Sequence, residues 1–452
     1  MPTQIVILGG GIGGVYTALH LERTLARIPD AAITLVSRNN FFLMSPFLFE
    51  AGSGVLEPRH AVNPIRSLLK RTRFVEAQVD AIDLDRRCVH TRLVMQEPLE
   101  IPYDQLVLAL GGVTNKKIIK GSETALTFKT LGDAILLRNR TIQLFERADV
   151  EPHSDHKSAQ LTFVVIGGGF VGLELMGEFT EFTKRLTRYY KNVSPQDLHF
   201  VLIEAAGRIA PEFDEKLADY AAEVLRRRGV SIRTNTKVGS IEEGRVTLPD
   251  GEVIDAETII LSTGVVPSPV VANLPIEKTP RGAVIVEPTM RSKSRPEVWA
   301  MGDCASIPSP SGKPYPNLAQ HALREAKVLA QNIAATLRNQ PIKPFIYETV
   351  GNLAALGHYN GVGKIYGIRL RGFVAWWVWR SYYLFRMPQW RRRIRIMADW
   401  TVSLLFGTDI VQLDLIPEER LPLEVMRLRV MHPPAPSAAP TPAPAPAPVT
   451  TS

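Results

Sequence analysis

Two cysteines in 452 residues is a low count, and Cys88 and Cys304 stand far apart. Neither belongs to a Cys-x-x-Cys or Cys-x4-Cys pair, so a redox-active dithiol and a zinc site are not expected. Reduced, cytosol-facing thiols are the plain reading. No apolar run reaches about 18 residues, which excludes a predicted transmembrane helix. The first strand is expected to begin by Gln4, leaving no room for a signal or transit peptide. Acid is missing altogether from residues 364–395, although the chain as a whole carries 45 acidic residues against 53 basic ones. Composition is otherwise that of a globular protein, 45% hydrophobic and 22% charged. The length suits about two or three domains.

What is present is a glycine turn, met twice. The apolar run Ile5–Leu8 ends in Gly9-Gly10-Gly11-Ile12-Gly13-Gly14, and an apolar helical pattern follows at once. Gly9, Gly11 and Gly14 fall on the spacing of a dinucleotide-binding strand–turn–helix unit: the first permits the tight turn, the second lets backbone approach a pyrophosphate, and the third lets helix and strand pack closely. Gly13 belongs to the same turn. The helix N-terminus then offers unpaired N–H groups to phosphate. The next strand, residues 32–36, ends at Ser37, 23 residues after Gly14 and followed by Arg38. An acid is usual at this position to bind ribose; a serine binds it more weakly.

The theme returns at residues 161–178, where Gly167, Gly169 and Gly172 reproduce the spacing. Here the following strand, residues 198–204, does end in an acid. Glu204 is expected to accept from ribose hydroxyls and repel a 2′-phosphate, favouring NADH over NADPH. Further strands are expected to end at Gly111, at Gly264 and at Gly302-Asp303, with a helix opening near Ala319. Residues 41–60 read as a long functional loop, and Glu146–Gln160 as a polar surface linker whose His153 and His156 are not assigned a metal. Two such units in one chain suggest electrons moving between two bound cofactors, a flavin on the first and a nicotinamide on the second.

This order of motifs resembles the two-dinucleotide-binding-domain flavoproteins, and within them the type II NADH:quinone oxidoreductases. The resemblance spans roughly residues 4–415. It rests on residues 9–14, 46–59, 103–111, 129–140 and 167–178, on Gly302-Asp303 and on Ala319-Gln320. It implies an α/β fold with two Rossmann-like domains, for FAD and NADH, plus a C-terminal membrane-associating helical region. The implied boundaries are 1–115 and 291–350 for the FAD domain, 116–290 for an inserted NADH domain, 351–430 for the membrane-anchoring region and 431–452 for a disordered Pro/Ala-rich tail. It implies that Asp303 binds the flavin ribitol and Val79 the adenine through its backbone. Glu174 would sit near nicotinamide and flavin, with Ala319 and Gln320 beside the flavin ring and the quinone path. Catalytic roles are expected for Glu174 and Gln320. The family's second helix glutamine is Arg324 here. Glu50 and Arg59 are weaker candidates for the flavin pocket.

The C-terminal region argues for a lipid surface on its own. Five of six tryptophans are Trp376, Trp377, Trp379, Trp390 and Trp400, and the acid-free stretch holds nine basic residues. Tryptophan favours the membrane interface and arginine favours anionic headgroups. Pro388 is expected to split the region into two helices lying in the interface plane. The reading is a peripheral protein on the cytoplasmic face of the cell membrane, contacting the bilayer through residues 364–406 and taking NADH and a membrane quinone as partners. A homodimer through the same aromatics stays open, and no nucleic-acid partner is expected. Two other readings stand beside it: a soluble NADH-dependent flavoprotein reductase of a small electron-carrier protein, and a non-catalytic NADH-sensing flavoprotein.

Overall fold

The computed structural model describes residues 2–412 apart from 27–29, 95 and 243. The tail at 431–452 and the end of the 351–430 region lie outside the described residues. The short apolar stretches before both glycine turns, Thr3–Leu8 and Thr162–Ile166, become central parallel strands. Buried on both faces, such strands carry continuous rather than alternating apolar side chains. In the first sheet the order is Val298–Ala300, Gln105–Leu108, Thr3–Leu8, Ala31–Ser37 and Arg73–Asp83, all parallel, extended by antiparallel Cys88–Leu93 and Pro98–Pro102. Ile5 to Leu8 at its centre are buried.

The second sheet is wholly parallel, in the order Leu126–Thr127, Thr258–Leu261, Thr162–Ile166, His199–Ile203 and Val230–Arg233. Its strands all fall between residues of the first sheet in the chain. A third, antiparallel sheet, Gly351–Ala355, Gly361–Ile365 and Ile368–Arg371, leads into two helices. The helices that carry the site are α1 (Ile12–Thr24), α2 (Leu131–Val150), α3 (Phe170–Leu186), α4 (Ala319–Leu337), α5 (Gly372–Arg386) and α6 (Trp390–Phe406). The break between α5 and α6 spans Pro388, as the sequence predicts.

Two expectations need correction. The 41–60 stretch is not loop throughout: Phe41–Leu43 is a strand and Leu48–Gly52 a short helix. Leu48, Phe49 and Ala51 are buried, and Phe49 stacks on Phe128 at 5.2 Å, so tertiary burial imposes helix on a segment rich in breakers. Glu146–Gln160 is not a linker either. A capping box at Thr130 and Asp133 starts α2, which runs on to Val150 with Phe145 and Ala148 buried, and Ser154–Gln160 forms a further helix.

Candidate functional site

The two glycine turns have the same construction. Gly9 and Gly167 have φ of +117° and +110°, a region closed to most side chains. A Cβ on Gly14 would lie 1.9 Å from the Gly9 carbonyl oxygen, and one on Gly172 would lie 1.9 Å from that of Gly167. Glycine is therefore required at the first and third positions of both units. The second glycines, Gly11 and Gly169, are the N-caps of α1 and α3 and provide no side-chain cap. A Cβ on Gly11 would meet nothing within 4 Å, so the backbone there is open to a diphosphate, and the free N–H groups of α1 face that space. The first turn thus fits a dinucleotide. Gly13 packs differently: its Cβ position lies 3.1 Å from the Met301 methyl.

The residues that close the second strand of each unit diverge. Glu204 accepts from the Gly168 N–H at 2.6 Å and the Ala206 N–H at 2.8 Å, which fixes its carboxylate against the glycine turn. Ser37 takes the equivalent place in the first unit, buried against Gly10 and accepting from the Asn39 N–H at 3.3 Å, with Arg38 exposed beside it. Val79 lies on a strand that runs past the end of its parallel neighbour, at a bulge, and its carbonyl accepts from Gln78. One residue the sequence reading missed is Glu212. Its Oε1 lies 3.4 Å from the Phe170 N–H, at the start of α3, and burial raises its carboxyl above the ordinary value. Glu212 thus brings a carboxylate to the N-terminus of α3, 3.1 Å from the Cβ position of Gly169.

Beyond the ends of the first sheet, Gly302 (φ +58°) turns the chain so that Asp303 meets Lys129 at 3.3 Å and faces Gly111. The Gly302 N–H donates to Glu325 at 2.8 Å. Glu325 sits deep in α4, where burial raises its carboxyl to about 7. Cys304 is buried against the Gly111 carbonyl, and burial pushes its thiol up to about 12, which makes it a packing residue rather than a nucleophile. Gly264, with φ +53°, leaves open space around its Cβ position.

Ala319 is the first residue of α4. Gln320 beside it is fully engaged: its amide donates to the Gly351 carbonyl at 3.0 Å and to Asn352 at 3.2 Å, and it accepts from the Tyr347 hydroxyl at 3.3 Å. Arg324 covers the Tyr347 ring at 4.2 Å and donates to the Gln320 carbonyl. His321 is buried between Tyr315 and Tyr347, and burial lowers its imidazole to about 4, as expected of a core histidine.

Glu174 lies in α3, five residues after Gly169, and is buried. It is in no ion pair among the described residues. It accepts from the Ala355 N–H at 2.9 Å, and the Trp379 indole also bonds to it. Burial outweighs these bonds and raises the carboxyl to about 8, so it holds a proton at neutral pH. Next to it, Glu50 pairs with Arg380 at 2.7 Å and accepts from the Trp400 indole at 2.7 Å. Arg380 lies between the Trp376 and Trp400 rings at 4.3 and 4.4 Å. Glu50 is thus committed to α5 and α6. The Arg59 side chain is exposed and paired with Glu57.

The structure also divides the C-terminal charges and aromatics. Trp376 and Trp379 are buried and Trp400 is half-buried, while Trp377 and Trp390 are exposed. Of the nine basic residues, Lys364 and Arg369 pair with Asp214, and Arg380 pairs with Glu50. No described helix is long and apolar enough to cross a membrane.

Residues 3–326 match the pyridine nucleotide-disulphide oxidoreductase family, and residues 350–409 match the NDH2 C-terminal domain. A probable NADH dehydrogenase of Dictyostelium discoideum is 33% identical over 416 residues, covering 90% of each chain. A type II NADH:quinone oxidoreductase of Mycobacterium tuberculosis is 29% identical over 423 residues, covering 89% of this chain and 87% of its own. The solved NDH2 of Plasmodium falciparum in complex with NADH has the same fold, with a TM-score of 0.84 at 19% identity over 91% of this chain and 100% of that one. Two glycine turns of one construction, joined to an NDH2-type C-terminal region, place this chain in the pyridine nucleotide-disulphide oxidoreductase family, among the type II NADH dehydrogenases.

Proposed function

We propose that this chain oxidises NADH through a bound FAD and delivers two electrons to a membrane quinone. The observation that carries this reading is the pair of like-built glycine turns, of which only the second is closed by a carboxylate. When bound, FAD supplies the hydride acceptor for NADH and the two-electron donor for the quinone. Gly9, Gly11, Gly13, Gly14, Ser37, Arg38, Val79, Gly111, Gly302, Asp303 and Ala319 are assigned to the flavin dinucleotide, on 1–115 and 291–350. Gly167, Gly169, Gly172, Glu204 and Gly264 are assigned to NADH, on 116–290. Glu204 selects a free ribose hydroxyl over a 2′-phosphate by charge. Glu174 keeps its proton at neutral pH and is placed to hold or release it beside the nicotinamide. Gln320, held by Gly351, Asn352 and Tyr347, fixes the start of α4 against the C-terminal sheet.

Steady-state turnover tests the reading. It predicts a kcat of about 1–10³ s⁻¹ with NADH and a menaquinone or ubiquinone analogue. Turnover only with a small carrier protein would support the soluble reductase instead, and turnover below about 0.1 s⁻¹ would support the sensor.

The acceptor side rests on the face that α5 and α6 leave exposed. Phe373, Val374, Trp377 and Phe385 form a stripe on α5, and Trp390, Ile394 and Met397 continue it on α6. An apolar stripe flanked by arginines is the pattern of a helix lying in a membrane interface. We assign this face to the cytoplasmic surface of the cell membrane. Deleting residues 373–406 is not a clean test, because Trp379, Leu384, Met387 and Ile396 belong to the main core. Trp377→Ser with Phe385→Ser is the cleaner variant, since both side chains are exposed. It should abolish flotation with vesicles while the protein stays folded. If it instead splits a dimer and leaves flotation unchanged, the face joins two copies of the chain.

A further inference from the structure

A groove of about 470 Å³ lies between α1 and α4, away from the glycine turns. Its cations are Arg23 from α1, Arg324 and Lys327 from α4, and Arg386 at the end of α5, with the His20 imidazole beside them. No carboxylate lines it. Lys364, Arg369 and Arg380 each have a carboxylate partner, but none of the four groove cations is in an ion pair among the described residues. Arg324 and Arg386 rest on the faces of Tyr347 and Tyr382, contacts that orient a guanidinium without neutralising it. His20 feels the excess: burial first, then Arg23 and Lys327, hold its imidazole below the ordinary value.

The remaining wall is apolar, including Leu19, Val328 and an exposed Ile346. Arg386 directly follows Phe385 of the exposed α5 stripe, so the groove opens where that stripe ends. A free anion would use the cations and leave the apolar wall wet. A phosphodiester with hydrocarbon attached satisfies both.

We propose that this groove binds the phosphate headgroup of an anionic membrane phospholipid, clamping one lipid at the edge of the membrane-facing helices. The proposal rests on the membrane reading above and adds a defined lipid site to it.

The test uses the full-length holoprotein and two charge-matched pairs. Arg23→Gln with Lys327→Gln removes two groove charges; Arg391→Gln with Arg395→Gln removes two exposed charges on α6, outside the groove. Binding is measured to vesicles of pure phosphatidylcholine and of phosphatidylcholine with about a quarter phosphatidylglycerol. Diffuse attraction gives each exposed charge about a fivefold effect, so it predicts equal losses for the two pairs. The proposal predicts that the groove pair loses at least about tenfold more anionic preference than the α6 pair, with pure phosphatidylcholine binding retained. Equal losses would overturn it. So would displacement of anionic vesicles from the parent protein by millimolar inorganic phosphate, which would assign the groove to a free anion. The parent protein and the groove pair together separate the two ideas. Parent protein that binds neither vesicle refutes the membrane reading itself, whereas loss confined to the groove pair's anionic preference supports the lipid site.

Discussion

Glu174 gives the most direct residue-scale prediction, because its proton links site and stability. Its folded pKa of about 8 lies above the ordinary 4.5, so folding favours the protonated form. The stabilisation from this linkage is complete below pH 4.5 and is lost as pH rises through about 8. Glu174→Gln keeps an acceptor for the Ala355 N–H and has no charge to desolvate. Its melting temperature should match the parent near pH 5 and exceed it near pH 9. Glu325, raised to about 7, adds slope of the same sign to both proteins and drops out of the difference. A pH-independent offset would contradict the burial argument. Unchanged turnover in the same variant would remove Glu174 from the chemistry.

Two carboxylates meet at the second glycine turn with opposite consequences. Glu204 is expected to hold the ribose, so Glu204→Ala should lower NADH kcat/KM by about tenfold and reduce discrimination against NADPH. Glu212 competes with a phosphate for the start of α3, so Glu212→Ala should lower KM for NADH. A raised KM would show that Glu212 assists binding. Glu204 was legible because it closes an apolar strand after a glycine turn. Glu212 was not, because only the folded chain brings it back to Phe170.

At the scale of elements, one buried ion pair, Glu50–Arg380, ties α5 to the first domain's short helix beside the apolar contacts of Trp379, Leu384 and Ile396. Arg380→Ala leaves the Glu50 carboxylate without its cation and leaves a gap between Trp376 and Trp400. Removing one partner of such a pair costs about 3–5 kcal/mol. Denaturant unfolding should show that loss, and Glu50→Gln added to Arg380→Ala should recover part of it. Full additivity of the two losses would mean that the contact is not energetically coupled. The contact joins residues 330 apart in sequence, so no local pattern announces it. The acid-free stretch read as a uniformly basic surface for the same reason: its partners Asp214 and Glu50 lie elsewhere in the chain. The glycine turns were legible because their requirement is local, a positive φ and a 1.9 Å approach of backbone to backbone. Gly172→Ala should therefore abolish NADH binding and leave the flavin spectrum intact, whereas Gly14→Ala should cost the flavin.

For the whole molecule, the two-unit plan and the break at Pro388 followed from strand, turn and helix periodicities that survive folding. The short helix at Leu48–Gly52 did not, since its apolar side chains become helical only by packing on α2. Nor did the sorting of the tryptophans into buried Trp376 and Trp379 and exposed Trp377 and Trp390, which depends on where α5 docks. That sorting is what leaves a narrow apolar stripe beside the cationic groove rather than a uniformly aromatic surface.

One chain carries electrons from NADH, by way of a flavin, to a quinone. The most direct test is stopped-flow mixing of the purified yellow protein with NADH, followed by a menaquinone or ubiquinone analogue in vesicles. The flavin band should bleach rapidly with NADH and its colour return rapidly on adding quinone, at rates no slower than steady-state turnover. Bleaching by NADH with no recovery on quinone would contradict it and direct the search to a protein acceptor.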